Sequence, residues 1–150
     1  MERISYADVP KGMFEKLMEL EQMVNSSSLD IKLLEIIRLR VAQINGCAYC
    51  VDMHYKELKH ANETELRLHS LCVWKDTPYF DEKERAVLFF TEELTNIGNG
   101  HLQEATYKNL LHYFDKEQIS LLTLAITQIN TWTRMMITFQ FTPGNYAIQQ

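Results

Sequence analysis

Apolar residues return every three or four positions along almost the whole chain, and no run alternates apolar and polar side chains around a hairpin turn. A helix presents one stripe of itself to a core at that period, so the pattern commits the chain to an all-α fold of about seven helices. A first helix is expected from Pro10, a good first-turn residue, through Phe14, Leu17, Met18 and Leu20 to Val24, with a break at 25–28. Ser28 or Asp30 caps a second, whose Ile31, Leu34, Ile37, Val41 and Ile44 form one stripe, and Gly46 stops it. A third opens at a cysteine pair and reaches Ala61, with Asn62 at its end. A fourth runs from Glu65 to Val73, ahead of a turn at Asp76-Thr77-Pro78.

Asp81 with Glu84 makes a capping box for a fifth helix, which ends between Asn96 and Gly100. A sixth covers Leu102 to Phe114, and Asp115 with Gln118 opens a seventh. In that last element Ile119, Thr123, Ile126, Thr127, Ile129, Thr131 and Thr133 are β-branched and suit a strand by propensity. Yet Ile119, Leu122, Ile126, Ile129 and Met136 share one helical face, and the run is too long for an ordinary strand. The reading is helical. Helices two and three, and five and six, are expected to pack as hairpins.

With 150 residues, 46% of them hydrophobic, and only five Gly and three Pro, the chain reads as one domain, 1–150, with a core of its own. Its formal charge of −5 and scattered basic residues give nucleic acid no face to bind. The longest uncharged stretch, Gln118 to Thr133, is too short and too polar to span a bilayer, and the first residues lack the apolar core of a signal peptide. A soluble, cytoplasmic protein is expected. Three cysteines, an odd number with no export signal, argue against a structural disulfide framework.

Two of them stand as Cys47-Ala48-Tyr49-Cys50, and His54 follows four residues later. On a helix Cys50 and His54 are neighbours, with Cys47 one turn earlier on the same face. Following Gly46, both cysteines are expected in the first turn, where free N–H groups and the macrodipole favour a thiolate. The line then holds a nucleophile, a base and a second thiol able to close a sulfenic acid into a disulfide. Two other readings compete: chance core packing of free cysteines, and a zinc site with Cys72, His69 or Glu35 as fourth ligand. Glu35 itself falls on a polar stripe with Lys32, Arg38 and Gln43, and periodicity reads it as a solvated partner of Arg38. His60 reads as a surface residue, His101 and His112 have no nearby partner in sequence, and Cys72 reads as a buried thiol beside a partly exposed His69. Trp74 and Trp132 read as core or interface, with a pocket for an alkyl chain as the alternative.

Taken together, Glu35, eleven residues, Cys47-x-x-Cys50, three residues and His54 resemble the AhpD-like alkylhydroperoxidase motif of the carboxymuconolactone decarboxylase superfamily. The likeness is strongest over 34–61, and 81–86 and 130–134 are similar to the family's later helices. The resemblance implies an all-helical protomer that assembles into dimers, trimers or hexamers. It implies thiol-dependent reduction of organic hydroperoxides with no haem, metal or other cofactor, and a dithiol or lipoyl-type reductant as partner. By matching position, Cys50 would be the attacking thiol, Cys47 the resolving one, and His54 with Glu35 the proton relay. Dipole stabilisation instead favours Cys47, so the order of the two thiols is open. Tyr49 stands where the family carries His, and could line a substrate pocket or a subunit contact. A thiol-disulfide exchange or redox-sensing protein would share these residues without turning over peroxide.

Overall fold

The computed structural model describes residues 2–148. Among these residues there is no strand, and seven α-helices follow one another: α1 (Met13–Asn25), α2 (Ile31–Asn45), α3 (Ala48–His60), α4 (Glu65–Ser70), α5 (Glu82–Thr95), α6 (Glu104–Leu110) and α7 (Lys116–Phe139). Short 3-10 turns lie at Tyr6–Asp8, Leu71–Asp76 and Ile97–Asn99. No helix of the described residues is long and apolar enough to cross a membrane.

Most of the helix starts expected from capping chemistry are where the side chains put them. Asp30 accepts from the Leu33 N–H (3.0 Å), and the Asp81/Glu84 and Asp115/Gln118 boxes both close. Pro10 is a correction. It precedes α1 in a turn closed by the Met13 N–H on its carbonyl, and the helix starts after Gly12, whose φ of 86° suits glycine. The fourth and sixth helices are also shorter than expected. Val73 departs from helical angles, so the segment beyond Ser70 is a 3-10 turn, and beyond Leu110 the bonds tighten to three-residue spacing.

The β-branched run of α7 is helical throughout. Its threonines satisfy their hydroxyls on carbonyls four residues back, Thr123 on Ile119, Thr127 on Thr123, and Thr131 on Thr127. That local bonding and the apolar face of Leu122, Ile126 and Ile129 outweigh strand propensity. As expected, α2 packs on α3 and α5 on α6.

α2 is the centre of the molecule and also packs against α5 and α7. Its Leu34, Ile37 and Val41 join the large cluster with Phe90, Leu122 and Ile126; its Ile36 and Leu39 join a second with Leu58 and Trp74; its Ala42 touches a third around the cysteines. Every position from Leu33 to Leu39 is buried. A helix surrounded in this way covers its polar stripe as well as its apolar one.

Gly46 ends α2 at φ 67° and turns the chain directly into Cys47. A Cβ there would meet no atom within 4 Å, so the cost of a side chain is conformational alone. Gly46→Ala is expected to destabilise the fold by about 1 kcal/mol, a Tm lower by about 2–4 °C in a thermal melt.

Candidate active site

The helix that carries the cysteines begins one residue later than expected. Cys47 is the N-cap of α3, with extended angles, and Cys50 is the third helical residue. The backbone N–H of Cys47 is satisfied by the Ala42 carbonyl (3.0 Å), so the α2 terminus fixes the start of α3. The Cys47 Sγ accepts from the Cys50 N–H at 3.3 Å, as a serine cap would. The two residues are joined as a disulfide with Cα atoms 5.3 Å apart. They are only 1% and 3% exposed, enclosed by Ala42, Met136 and Phe141 with Phe14, Tyr49 and Trp132 around them.

Behind the pair lies a buried ionic network. Glu35, 8% exposed, gives one carboxylate oxygen to Arg38 Nη1 (2.6 Å) and the other to His54 Nδ1 (2.7 Å). The solvated Glu35–Arg38 pair expected from periodicity is therefore wrong, because packing around α2 takes both from water. Arg38 Nη2 donates across to α1, to Glu21 and Asn25 at 2.7 Å each, and Trp132 of α7 donates to the other Glu21 oxygen (3.1 Å). Burial alone pushes the Glu35 carboxyl up, but the charges and hydrogen bonds of His54 and Arg38 outweigh it and hold the pKa below the ordinary value. An ionised carboxylate can only accept, so the proton of this bond sits on Nδ1, and in the neutral ring the lone pair is then the one on Nε2. His54 stands one turn after Cys50 on α3.

Tyr49 is half-buried with its ring edge on Phe141 at 5.7 Å. Burial, then the neighbouring Tyr6, pushes its phenol up to about 12, which makes it a donor and not a base at neutral pH. Two aromatic residues that sequence reasoning missed frame this end of α3. They are Phe141, buried against the cysteines, and Tyr146, whose hydroxyl bonds Glu57. Burial, then Glu57, raises the Tyr146 phenol, with Glu35 and Tyr49 also in electrostatic reach. Nothing in local spacing marks them, since they lie after the last helix and reach the site only through the tertiary fold.

The remaining candidates lie elsewhere. Trp74 is core and donates to Glu92 (2.8 Å), and Trp132 stacks on Phe14 at 5.5 Å. Cys72 is exposed, not buried as expected, because it faces outward from the 3-10 turn. His60, His69, His101 and His112 are exposed. Among the described residues no three His, Cys, Asp or Glu side chains gather as a metal-binding group, so Cys72, His69 and Glu35 do not complete a zinc set with the pair.

The depressed Glu35 pKa fixes a pH dependence. Its contribution is present above the ordinary value near 4.5 and is lost as pH falls through the lower folded value. Glu35→Gln is expected to be less stable than wild type at neutral pH and to close that gap below about pH 4.5 in acid unfolding curves.

A model of the carboxymuconolactone decarboxylase family matches residues 11–93. The uncharacterized protein YdfG of Bacillus subtilis strain 168 is 35% identical over 137 residues, covering 91% of this chain and 92% of YdfG. A solved structure from Agrobacterium tumefaciens, of a protein of unknown function suggested to be the antioxidant defence protein AhpD, is 36% identical. It superposes with a TM-score of 0.91 over 97% of this chain and all of that one. A peroxidase-related protein of Ralstonia eutropha JMP134, described as an alkylhydroperoxidase AhpD core, is 19% identical with a TM-score of 0.80, over 91% and 73% of the two chains, and shares the fold. The Cys–His–Glu arrangement thus lies inside the matched region, and the chain belongs to the carboxymuconolactone decarboxylase family with an AhpD-like fold.

Proposed function

We propose that the chain is a thiol-dependent peroxidase that reduces organic hydroperoxides through Cys47 and Cys50. The observation that carries this reading is the Glu35 carboxylate, buried and bonded to His54 Nδ1 at 2.7 Å, one helical turn from Cys50. A structural ion pair has no need of a histidine whose other nitrogen is left to accept a proton beside a thiol at a helix N-terminus.

In the reduced protein His54 takes the Cys50 proton, and Glu35 holds the resulting imidazolium. The thiolate attacks the distal oxygen of ROOH; the O–O bond breaks, Cys50 becomes the sulfenic acid, and the departing alkoxide takes the proton back from His54 to leave as ROH. The Cys47 thiol then displaces hydroxide from the sulfenic sulfur, releasing water and forming the disulfide. A dithiol, of a protein or lipoyl type, returns two electrons and two protons by exchange and is itself oxidised. Tyr49, a phenol that keeps its proton, is suited to donate to a bound peroxide oxygen. Assembly of protomers and a cytoplasmic place for this chemistry belong to the same reading.

The test is intact mass and free-thiol count on pre-reduced protein before and after one equivalent of an organic hydroperoxide. The expected result is the loss of two thiols and two hydrogens, with Cys50→Ser inert and Cys47→Ser stopping at a sulfenic acid trapped on Cys50. Trapping on Cys47 in Cys50→Ser would reverse the order of the thiols. Unchanged thiols in the wild type would overturn the peroxidase. Glu35→Gln and His54→Ala are expected to slow the first step by roughly 10²-fold, as loss of a positioned acid–base group does.

A further inference from the structure

The redox pair is almost wholly shut off from solvent, at 1% and 3% exposure, yet both a hydroperoxide and a larger reductant have to reach it. Something covering it must move, and the elements around it are held very unequally. α2, α3 and α7 enclose the pair with buried apolar faces. Residues 142–146 do not, although Phe141 ahead of them is buried in that same cluster. After Phe141, residues 142–145 are exposed, and the chain is laid along α3 by a few polar contacts.

Those contacts form a latch. Asp52 accepts from the Gly144 N–H (3.0 Å), and Lys56 Nζ donates to the Gly144 and Tyr146 carbonyls (3.1 and 3.0 Å) while pairing with Asp52 at 2.9 Å. The Tyr146 hydroxyl bonds Glu57. Asp52, Lys56 and Glu57 all belong to the helix that carries Cys50 and His54. The strap begins at Phe141, which is packed in one cluster with both cysteines and meets Tyr49 edge-on and Tyr6 at 4.9 Å. Beyond the Phe141 ring, exposed residues held by polar contacts open at lower cost than the helices beneath them.

We propose that segment 141–146 is an access strap whose latch on Asp52 and Lys56 sets the size of molecule that reaches the Cys47–Cys50 pair. Latched, it admits a small hydroperoxide through brief openings; a reductant of protein size has to displace it. The proposal takes its purpose from the peroxidase reading, but its test needs no peroxide turnover.

The measurement is the rate at which the reduced pair is modified by a small reagent, iodoacetamide, and by a bulky one, a maleimide carrying a polyethylene glycol chain. Cys72→Ser is the background, since Cys72 is exposed and reacts on its own. Lys56→Met, which keeps the stem and removes the donor to the Gly144 and Tyr146 carbonyls, is expected to raise the bulky reagent's rate on the order of tenfold while iodoacetamide changes less than about twofold. Asp52→Asn is expected to act in the same direction and more weakly, with far-UV circular dichroism and Tm confirming that each variant is folded. Equal acceleration of both reagents would mean general loosening, and no acceleration of either would mean that the strap does not gate the pair. Either result overturns the proposal, and neither touches the peroxidase reading.

Discussion

A carboxylate inside a helical bundle is costly unless its charge is answered by well-placed partners, and at Glu35 that requirement organises everything around it. One oxygen faces the Arg38 guanidinium and the other the His54 ring. Arg38 in turn meets Glu21 and Asn25, and Glu21 meets Trp132, so one chain of hydrogen bonds joins α3, α2, α1 and α7. Removing one member of such a network leaves a buried charge alone, which costs about 3–5 kcal/mol. By formal charge the chain holds two carboxylates and one guanidinium, so a proton arriving on His54 balances it. Under the peroxidase reading, that is the charge state the network takes when His54 accepts the Cys50 proton.

The cysteines depend on the same central helix from its other end. Gly46 can turn the chain at positive φ, and the Ala42 carbonyl holds the Cys47 N–H, so the last turn of α2 positions the first residue of α3. With Cys47 as N-cap and Cys50 three residues on, the Cα separation of 5.3 Å is within the range that a disulfide spans. The sulfur of Cys47 accepts the Cys50 N–H where a serine oxygen would, so the disulfide sulfur also caps the helix.

Much of this was legible in the sequence, and the exceptions share a cause. Capping residues act within one turn of themselves, so Asp30, Gly46, Asp81 and Asp115 announce their helices without help from the fold. The Cys50–His54 spacing is likewise local. Glu35 is different. Its three-residue spacing to Arg38 looks the same in solvent and in a core, and only the packing of α2 on all sides turns a surface pair into a buried one. Family resemblance singled out Glu35 where periodicity could not, but Arg38's reach to α1 was visible to neither. Phe141 and Tyr146 are further still from local reading, because no turn or period ties residues beyond α7 to the start of α3. The ends of α4 and α6 differ from expectation for a smaller reason, since a 3-10 turn after α4 and an irregular turn after α6 continue the apolar spacing once the α-helix has stopped.

The third cysteine shows why burial and reactivity are not opposed here. Cys72 is open to solvent, and any reagent can touch it, but it lies in the 3-10 turn after α4, beside the kink at Val73, and has no buried ionic network behind it. Its Sγ is engaged by the His69 carbonyl, which gives a thiolate nothing. Cys47 and Cys50 have the opposite situation: an N-terminus, an imidazole neighbour with a carboxylate behind it, and almost no water. Excluding water strengthens each of those electrostatic interactions, because the dielectric that screens them is removed. Under the peroxidase reading, a thiol set among these partners gains from enclosure what they supply, and it must be uncovered to meet its substrates. In the proposed strap the two demands fall to different parts of the chain, packed helices for the first and the polar-tethered segment 141–146 for the second.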